Sequence, residues 1–142
     1  MIHLQLVTLD GVKVDEDVYE VLLPTMDGQI GVMPGHMPLI SVANTGVVSV
    51  RIKPSDRDDL MEHYAISGGV IEVEKDTLRL LVDEADHADE INELETQKAY
   101  ELAKRMKAEA KDEVSLEQAQ SLMDRSAVRL QVAGLRRRNR RI

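Results

Sequence analysis

Polar and apolar positions alternate with a period of two along residues 1–84. Val48, Val50 and Ile52 interleave with Ser49, Arg51 and Lys53; Ile71 and Val73 interleave with Glu72 and Glu74; Leu78, Leu80 and Val82 interleave with Thr77, Arg79 and Asp83. A period of two places one set of side chains on a buried sheet face and the other in water. Turn pairs interrupt the pattern at short intervals: Asp10-Gly11, Asp27-Gly28, Pro34-Gly35, Asn44-Thr45-Gly46, Pro54-Ser55-Asp56 and Lys75-Asp76. Many short strands so spaced predict a β-sandwich or barrel, here of nine or ten strands. Ser67-Gly68-Gly69, between two strand patterns, predicts a bend where one strand leaves its neighbour. The charged run Ser55–Asp59 reads as a solvated tip.

From about residue 89 the period becomes helical. Ala99, Leu102, Ala103, Met106 and Ala110 recur at helical spacing, then Leu116, Ala119, Met123, Leu130 and Ala133. Asn92-Glu93-Leu94-Glu95 and Ser115-Leu116-Glu117-Gln118 each have the form of a capping box. Lys111–Val114 is a short polar link of the kind that joins antiparallel helices. The fold class is therefore mainly β plus α: a sandwich over 1–84 and a two-helix hairpin over 85–142. Neither Gly nor Pro occurs between Glu84 and Ala133. A hairpin and one continuous helix are both open to this stretch, and a pair of packings close in energy is what a switch requires.

Composition sharpens the picture. The 142 residues include no Phe and no Trp, and Tyr19, Tyr64 and Tyr100 are the only aromatics. Val, Leu, Ile, Met and Ala must fill the core. No run of 18 apolar residues codes a membrane span. The start, Met1-Ile2-His3-Leu4, has no basic region or signal-peptide core, so a cytoplasm-like compartment is expected. Absence of cysteine removes disulfides and thiolate chemistry. Residues 1–100 carry 7 basic and 20 acidic side chains, whereas 101–142 carry 11 and 6. An acidic body with a basic tail suits an acidic partner.

Catalytic chemistry finds no foothold. Asp83-Glu84-Ala85-Asp86 spells a helicase motif, but no G-x-x-x-x-G-K-[ST] loop accompanies it and the run to Glu90 reads as a solvated linker. His3, His36, His63 and His87 are scattered, without the spacing of a metal site, and no metal or cofactor is expected. Ser67 lacks the frame of a nucleophile elbow. Arg136, Arg137, Arg138, Arg140 and Arg141 could neutralise phosphates, but no aromatic stands by to stack bases and the acidic body repels polyanions. An acidic protein surface suits them better.

Asp27-Gly28-Gln29-Ile30-Gly31-Val32-Met33-Pro34-Gly35-His36-Met37-Pro38-Leu39 is the densest run of turn formers. It predicts a short strand, Gln29 to Met33, between two tight turns, with His36 on a rigid loop. The run resembles the D-G-x-x-G-V-x-P-G-H-x-P-L signature of the epsilon subunit of the rotary proton-translocating ATP synthase. Ser67-Gly68-Gly69-Val70-Ile71-Glu72-Val73 is similar to that family's S-G-G-x-x-E-V, and Leu80–Ala85 stands in place of V-L-A-D-x-A. The alanine-rich helical tail ending in arginines completes a resemblance over nearly the whole chain.

The resemblance implies a noncatalytic rotor subunit on the cytoplasmic face of the cell membrane, peripheral and not inserted. Its sandwich would bind the gamma subunit and rest on the ring of c subunits. Gln29 and His36 would face the ring, and Thr8 would lie near gamma. The hairpin would open, climb along gamma and block hydrolysis, its basic end meeting the alpha and beta subunits of the catalytic hexamer. Some members bind ATP through [IL]-D-x-x-R-A; here Ile91-Asn92-Glu93-Leu94-Glu95-Thr96 puts Glu where the cation belongs, so no tight ATP binding is expected. The rival reading is a free adaptor presenting a helical hairpin to an acidic protein.

Overall fold

The computed structural model describes residues 1–140, with side chains through Arg136. Ten strands come first: β1 Ile2–Thr8, β2 Gly11–Val18, β3 Glu20–Thr25, β4 Gly28–Val32, β5 Leu39–Ala43, β6 Gly46–Arg51, β7 Glu62–Ile66, β8 Gly69–Glu74, β9 Thr77–Val82 and β10 Ala85–His87. Two helices follow, α1 Glu93–Glu109 and α2 Glu113–Arg140. The expected sandwich with a C-terminal helix pair is thus the observed fold.

Hydrogen bonding runs β10-β7-β6-β3-β5-β8-β9-β1-β2, with β4 added to β3. All pairings are antiparallel except β1 with β9. The ladder narrows to one pair, Thr25 with Ala43, between β3 and β5. There one layer passes into the other. The outer edges β2 and β10 face each other across a groove spanned by Lys13 Nζ and Glu90 Oε2, 2.6 Å apart. The core between the layers is aliphatic: Ile2, Leu4, Leu6, Val21, Leu23, Ile71, Leu78 and Leu80 are all within 1% of full burial. Fully burying such a side chain contributes about 1.5–3 kcal/mol, so many Leu, Ile and Val offset the missing aromatics.

The Gly68-Gly69 bend has a steric cause. A Cβ on Gly69 would lie 1.9 Å from the Leu81 carbonyl oxygen. Only hydrogen allows β8 to approach β9 this closely.

Asn92 caps α1, its side chain accepting from the Glu95 N–H at 3.0 Å. For α2 the expected cap, Ser115, is displaced. Asp112 Oδ1 accepts from the Ser115 N–H at 2.7 Å, so the helix begins a turn earlier and Ser115 lies inside it. A carboxylate suits a helix N-terminus, where unpaired N–H groups concentrate positive potential. Its hydrogen bonds to the Ser115 backbone and side chain hold the Asp112 carboxyl below the usual range. Between the helices Ala110 is extended, with φ −66° and ψ 130°.

Thr96, Ala103, Ala119 and Ser126 are buried along the helix pair. Small residues let two helix axes approach closely. Leu102, Met106 and Leu116, expected on the packed faces, stay substantially exposed because the alanines already fill the seam. α2 lies over β6 and β7, where Val132, Ala133, Ala65, Ala88 and Ile91 form a second small apolar cluster. The acidic run after Asp83 is not the solvated linker its composition suggested. It forms β10 and a 3₁₀ turn at Ala88–Glu90, with its carboxylates paired to cations.

Candidate functional site and partner interfaces

The turn-rich signature run forms an exposed edge. Among the described residues β4 pairs only with β3, from Val21–Val32 to Thr25–Gly28. Gln29 is exposed at the start of β4, and His36 is half-buried just past its end. The strand separates them, so they mark two ends of one edge and do not form a cluster. Met33-Pro34-Gly35-His36 is a type II turn: Gly35 has φ +84° and the His36 N–H donates to the Met33 carbonyl at 3.1 Å. The Gly35 N–H donates to Asp76 Oδ1 at 2.7 Å. Asp76 sits in the β8–β9 turn, where Lys75 and Asp76 both take positive φ, 47° and 58°. That is the type I′ geometry whose twist suits a hairpin. The Asp76 carbonyl also accepts from the His3 N–H at 2.8 Å. One residue therefore ties the signature loop to β1 and to the β8–β9 turn. The His36 ring directs Nδ1 at the Met37 carbonyl, 2.6 Å away, so Nδ1 carries the proton and Nε2 is left for another partner.

A second surface covers the outward face of β5, β8, β9, β1 and β2. The register aligns Val42 with Val70, Val70 with Leu81, Leu81 with Val7, and Val7 with Val12. Val42, Val70, Leu81 and Val12 are exposed, Val12 by 64%. Five strands about 4.8 Å apart make this an apolar row roughly 19 Å long. Thr8 follows Val7 but is occupied in the β1–β2 turn, its Oγ1 donating to the Gly11 carbonyl and accepting from the Asp10 N–H. Sequence reasoning missed the row. Its signal was present as apolar runs that break the alternation: the doublets Leu6-Val7, Val42-Ala43 and Val70-Ile71 and the triplet Leu80-Leu81-Val82.

The third surface is where α2 meets the strap from Glu84 to Glu90. Arg125 pairs with Glu84 at 3.2 Å and Arg129 with Asp86 at 2.7 Å, while Arg136 Nη1 donates to the Ala88 carbonyl at 2.6 Å. Of the basic tail, only Arg136 has a described side chain. The expectations for Arg137, Arg138, Arg140 and Arg141 lie outside the described side chains. The hydrogen bond from Lys13 holds the Glu90 carboxyl below its ordinary range. Nearby, burial and then His87 push the His63 imidazole down, and Ser49 Oγ sits 2.8 Å from its Nδ1.

Among known families, the model of the ATP synthase Delta/Epsilon chain beta-sandwich domain matches residues 1–88. The ATP synthase epsilon chain of Herpetosiphon aurantiacus is 35% identical over 136 residues, covering 96% of each chain. This chain belongs to the ATP synthase epsilon-chain family. The epsilon chain of Chloroflexus aggregans is 34% identical over 140 residues, covering 99% of this chain and 97% of its own. Among solved structures, a chain of the Euglena gracilis mitochondrial ATP synthase, in an OSCP/F1/c-ring assembly, superposes with a TM-score of 0.77 at 24% identity. It covers 93% of this chain and 80% of that one, so the fold is shared beyond recognisable sequence. Among the described residues, no helix of this family member is long and apolar enough to cross a membrane.

Proposed function

We propose that this chain is a noncatalytic central-stalk subunit of a proton-translocating ATP synthase, peripheral to the cytoplasmic face of the cell membrane. It joins the c ring to gamma and restrains ATP hydrolysis through its C-terminal helices. The observation that carries this reading, beyond family membership, is the apolar row Val42–Val70–Leu81–Val7–Val12. Its length of roughly 19 Å matches about 13 residues of a helix laid across the strands. A rotor contact must carry torque without slipping, and a broad apolar strip on a rigid sheet meets that need better than isolated charges. The row suits the gamma subunit, with Thr8 at its margin. The edge carrying Gln29 and His36 suits the polar loops of the c ring. Residues 1–84 serve coupling and 85–142 serve regulation, with the arginine tail reaching acidic parts of the alpha and beta subunits. ATP is not bound tightly, since Glu95 stands where a triphosphate needs a cation; calorimetry on the isolated chain checks this.

The test is recovery of the tagged chain from detergent-solubilised membranes. Gamma, the c ring and ATPase activity are expected in the eluate. A soluble complex without ATPase would overturn the reading. Removing residues from Lys111 onward is expected to keep assembly and to raise or leave unchanged the ATPase rate.

A further inference from the structure

The helix pair rests on the sheet through a small apolar cluster, with Val47 and Val128 packed at its margin, and through a row of polar contacts. Three of the five buried residues in its apolar cluster are alanines: Ala65, Ala88 and Ala133. An alanine contributes little area, so this cluster is a weak adhesive. The polar contacts are more extensive. Arg125 Nη1 meets Glu84 Oε1 at 3.2 Å, Arg129 meets Asp86 Oδ2 through Nε at 3.0 Å and Nη2 at 2.7 Å, and Arg136 reaches the Ala88 carbonyl. The acceptors are alternate residues of the strap. Helix residues four apart advance about 6 Å, and alternate strand residues advance about 6.6 Å. Arg125 and Arg129 therefore fall in step with Glu84 and Asp86. The match is incomplete, because Arg125 Nε and Arg136 Nε are buried without a hydrogen-bond partner among the described residues. Unsatisfied buried donors oppose docking.

We infer that this arginine comb on Glu84 and Asp86 sets whether the hairpin lies on the sheet or swings free, so that ionic strength governs the arm. The inference deepens the regulatory half of the proposed function. It rests on that reading only for what the freed arm does next. Partly exposed pairs of this kind shift an equilibrium by roughly 2- to 5-fold each. The pairs act together on one docked state, so removing one and adding repulsion moves the balance by about tenfold or more. Salt acts in the same direction. The screening length falls from about 30 Å at 0.01 M to about 3 Å at 1 M, which weakens pairs that water reaches.

The chain has no cysteine, so spin labels at Glu74→Cys and Gln118→Cys report on their own positions. The distance distribution of the isolated full chain is measured by pulsed dipolar spectroscopy at low and high KCl. A longer, broader component is expected to grow with salt. Asp86→Arg should show that component already at low salt, and Asp86→Arg with Arg129→Asp should restore the short distance. A distribution indifferent to KCl, or a double variant that fails to restore docking while far-ultraviolet dichroism shows an intact sheet, would overturn the inference. Should Asp86→Arg fail to fold, the salt series on the parent and on Glu84→Gln decides the matter. All these readouts use the isolated chain, so their failure is distinct from a failure of assembly.

Discussion

Replacing Asp76 by alanine tests how the signature loop is held. In the parent chain Asp76 does two separable things. It occupies the left-handed region at φ 58°, and its Oδ1 accepts the Gly35 N–H at 2.7 Å. Left-handed backbone costs most L-residues roughly 1–2 kcal/mol, while Asp and Asn tolerate it through local hydrogen bonding. A hydrogen bond to a charged acceptor contributes about 1.5–3 kcal/mol when sheltered; Asp76 is exposed, so about 1 kcal/mol is the appropriate share. Asp76→Ala therefore destabilises by about 2 kcal/mol. With an unfolding entropy of roughly 2.1 cal/mol/K per residue, that lowers Tm by about 7 °C. Asp76→Asn keeps both the backbone preference and an acceptor oxygen, and loses only the charge, at a cost of about 0.5 kcal/mol. Thermal melts of the three proteins give the stability, and amide exchange at Gly35 gives the local tether. Protection at Gly35 should vanish in the alanine variant and persist in the asparagine one. Equal melting of the two variants, or a Gly35 amide still protected in Asp76→Ala, would refute the assignment.

Three further outcomes are expected. The His3 ring lies between Asp17 and Asp15, whose hydrogen bonds raise its pKa above the ordinary value, Asp17 foremost. A raised folded pKa stabilises the β1–β2 pair fully below about pH 6.5 and loses that contribution as pH climbs through the folded value. Melting the parent and His3→Gln at about pH 6 and pH 9 should show a difference at the lower pH that shrinks at the higher. Gly69→Ala would force a Cβ against the Leu81 carbonyl, so β8 and β9 must part; a loss of about 3 kcal/mol or more in urea unfolding is expected. Val12 is 64% exposed on the edge strand β2, so Val12→Asp should leave the melt of the isolated chain within about 0.5 kcal/mol, as for an exposed site, yet abolish recovery with gamma from membranes; retained recovery would remove the apolar row from the interface.

How much of this was legible beforehand varies with the physics. The strands were readable because inward Leu, Ile and Val alternate with polar outward residues, and the turns because Gly, Asp and Pro announce them. The helix pair was readable from its period, but the start of α2 was not: Ser115 and Asp112 are both competent caps, and it is Asp112 that accepts the Ser115 N–H. The apolar row was hidden because it is made across five strands, and register is not written in any one of them. The run from Asp83 to Glu90 looked like a charged tether. It became a strand because β7 offers a free edge and because arginines some 40 residues away supply its counter-charge. Gln29 and His36 are close in sequence, yet the intervening β4 keeps them apart.

The corner at Ala110 has a mechanical consequence. Its φ of −66° is already that of an α-helix, and only ψ, at 130°, departs from the helical value near −42°. At this residue, straightening is a swing of roughly 170° about one bond, with no steric region to cross that glycine would be needed to open. Lys111 and Asp112 bring no proline to resist joining the two cylinders. The reward for that crank is reach: the same residues that fold back on themselves would extend as a single rod of roughly 70 Å at 1.5 Å per residue.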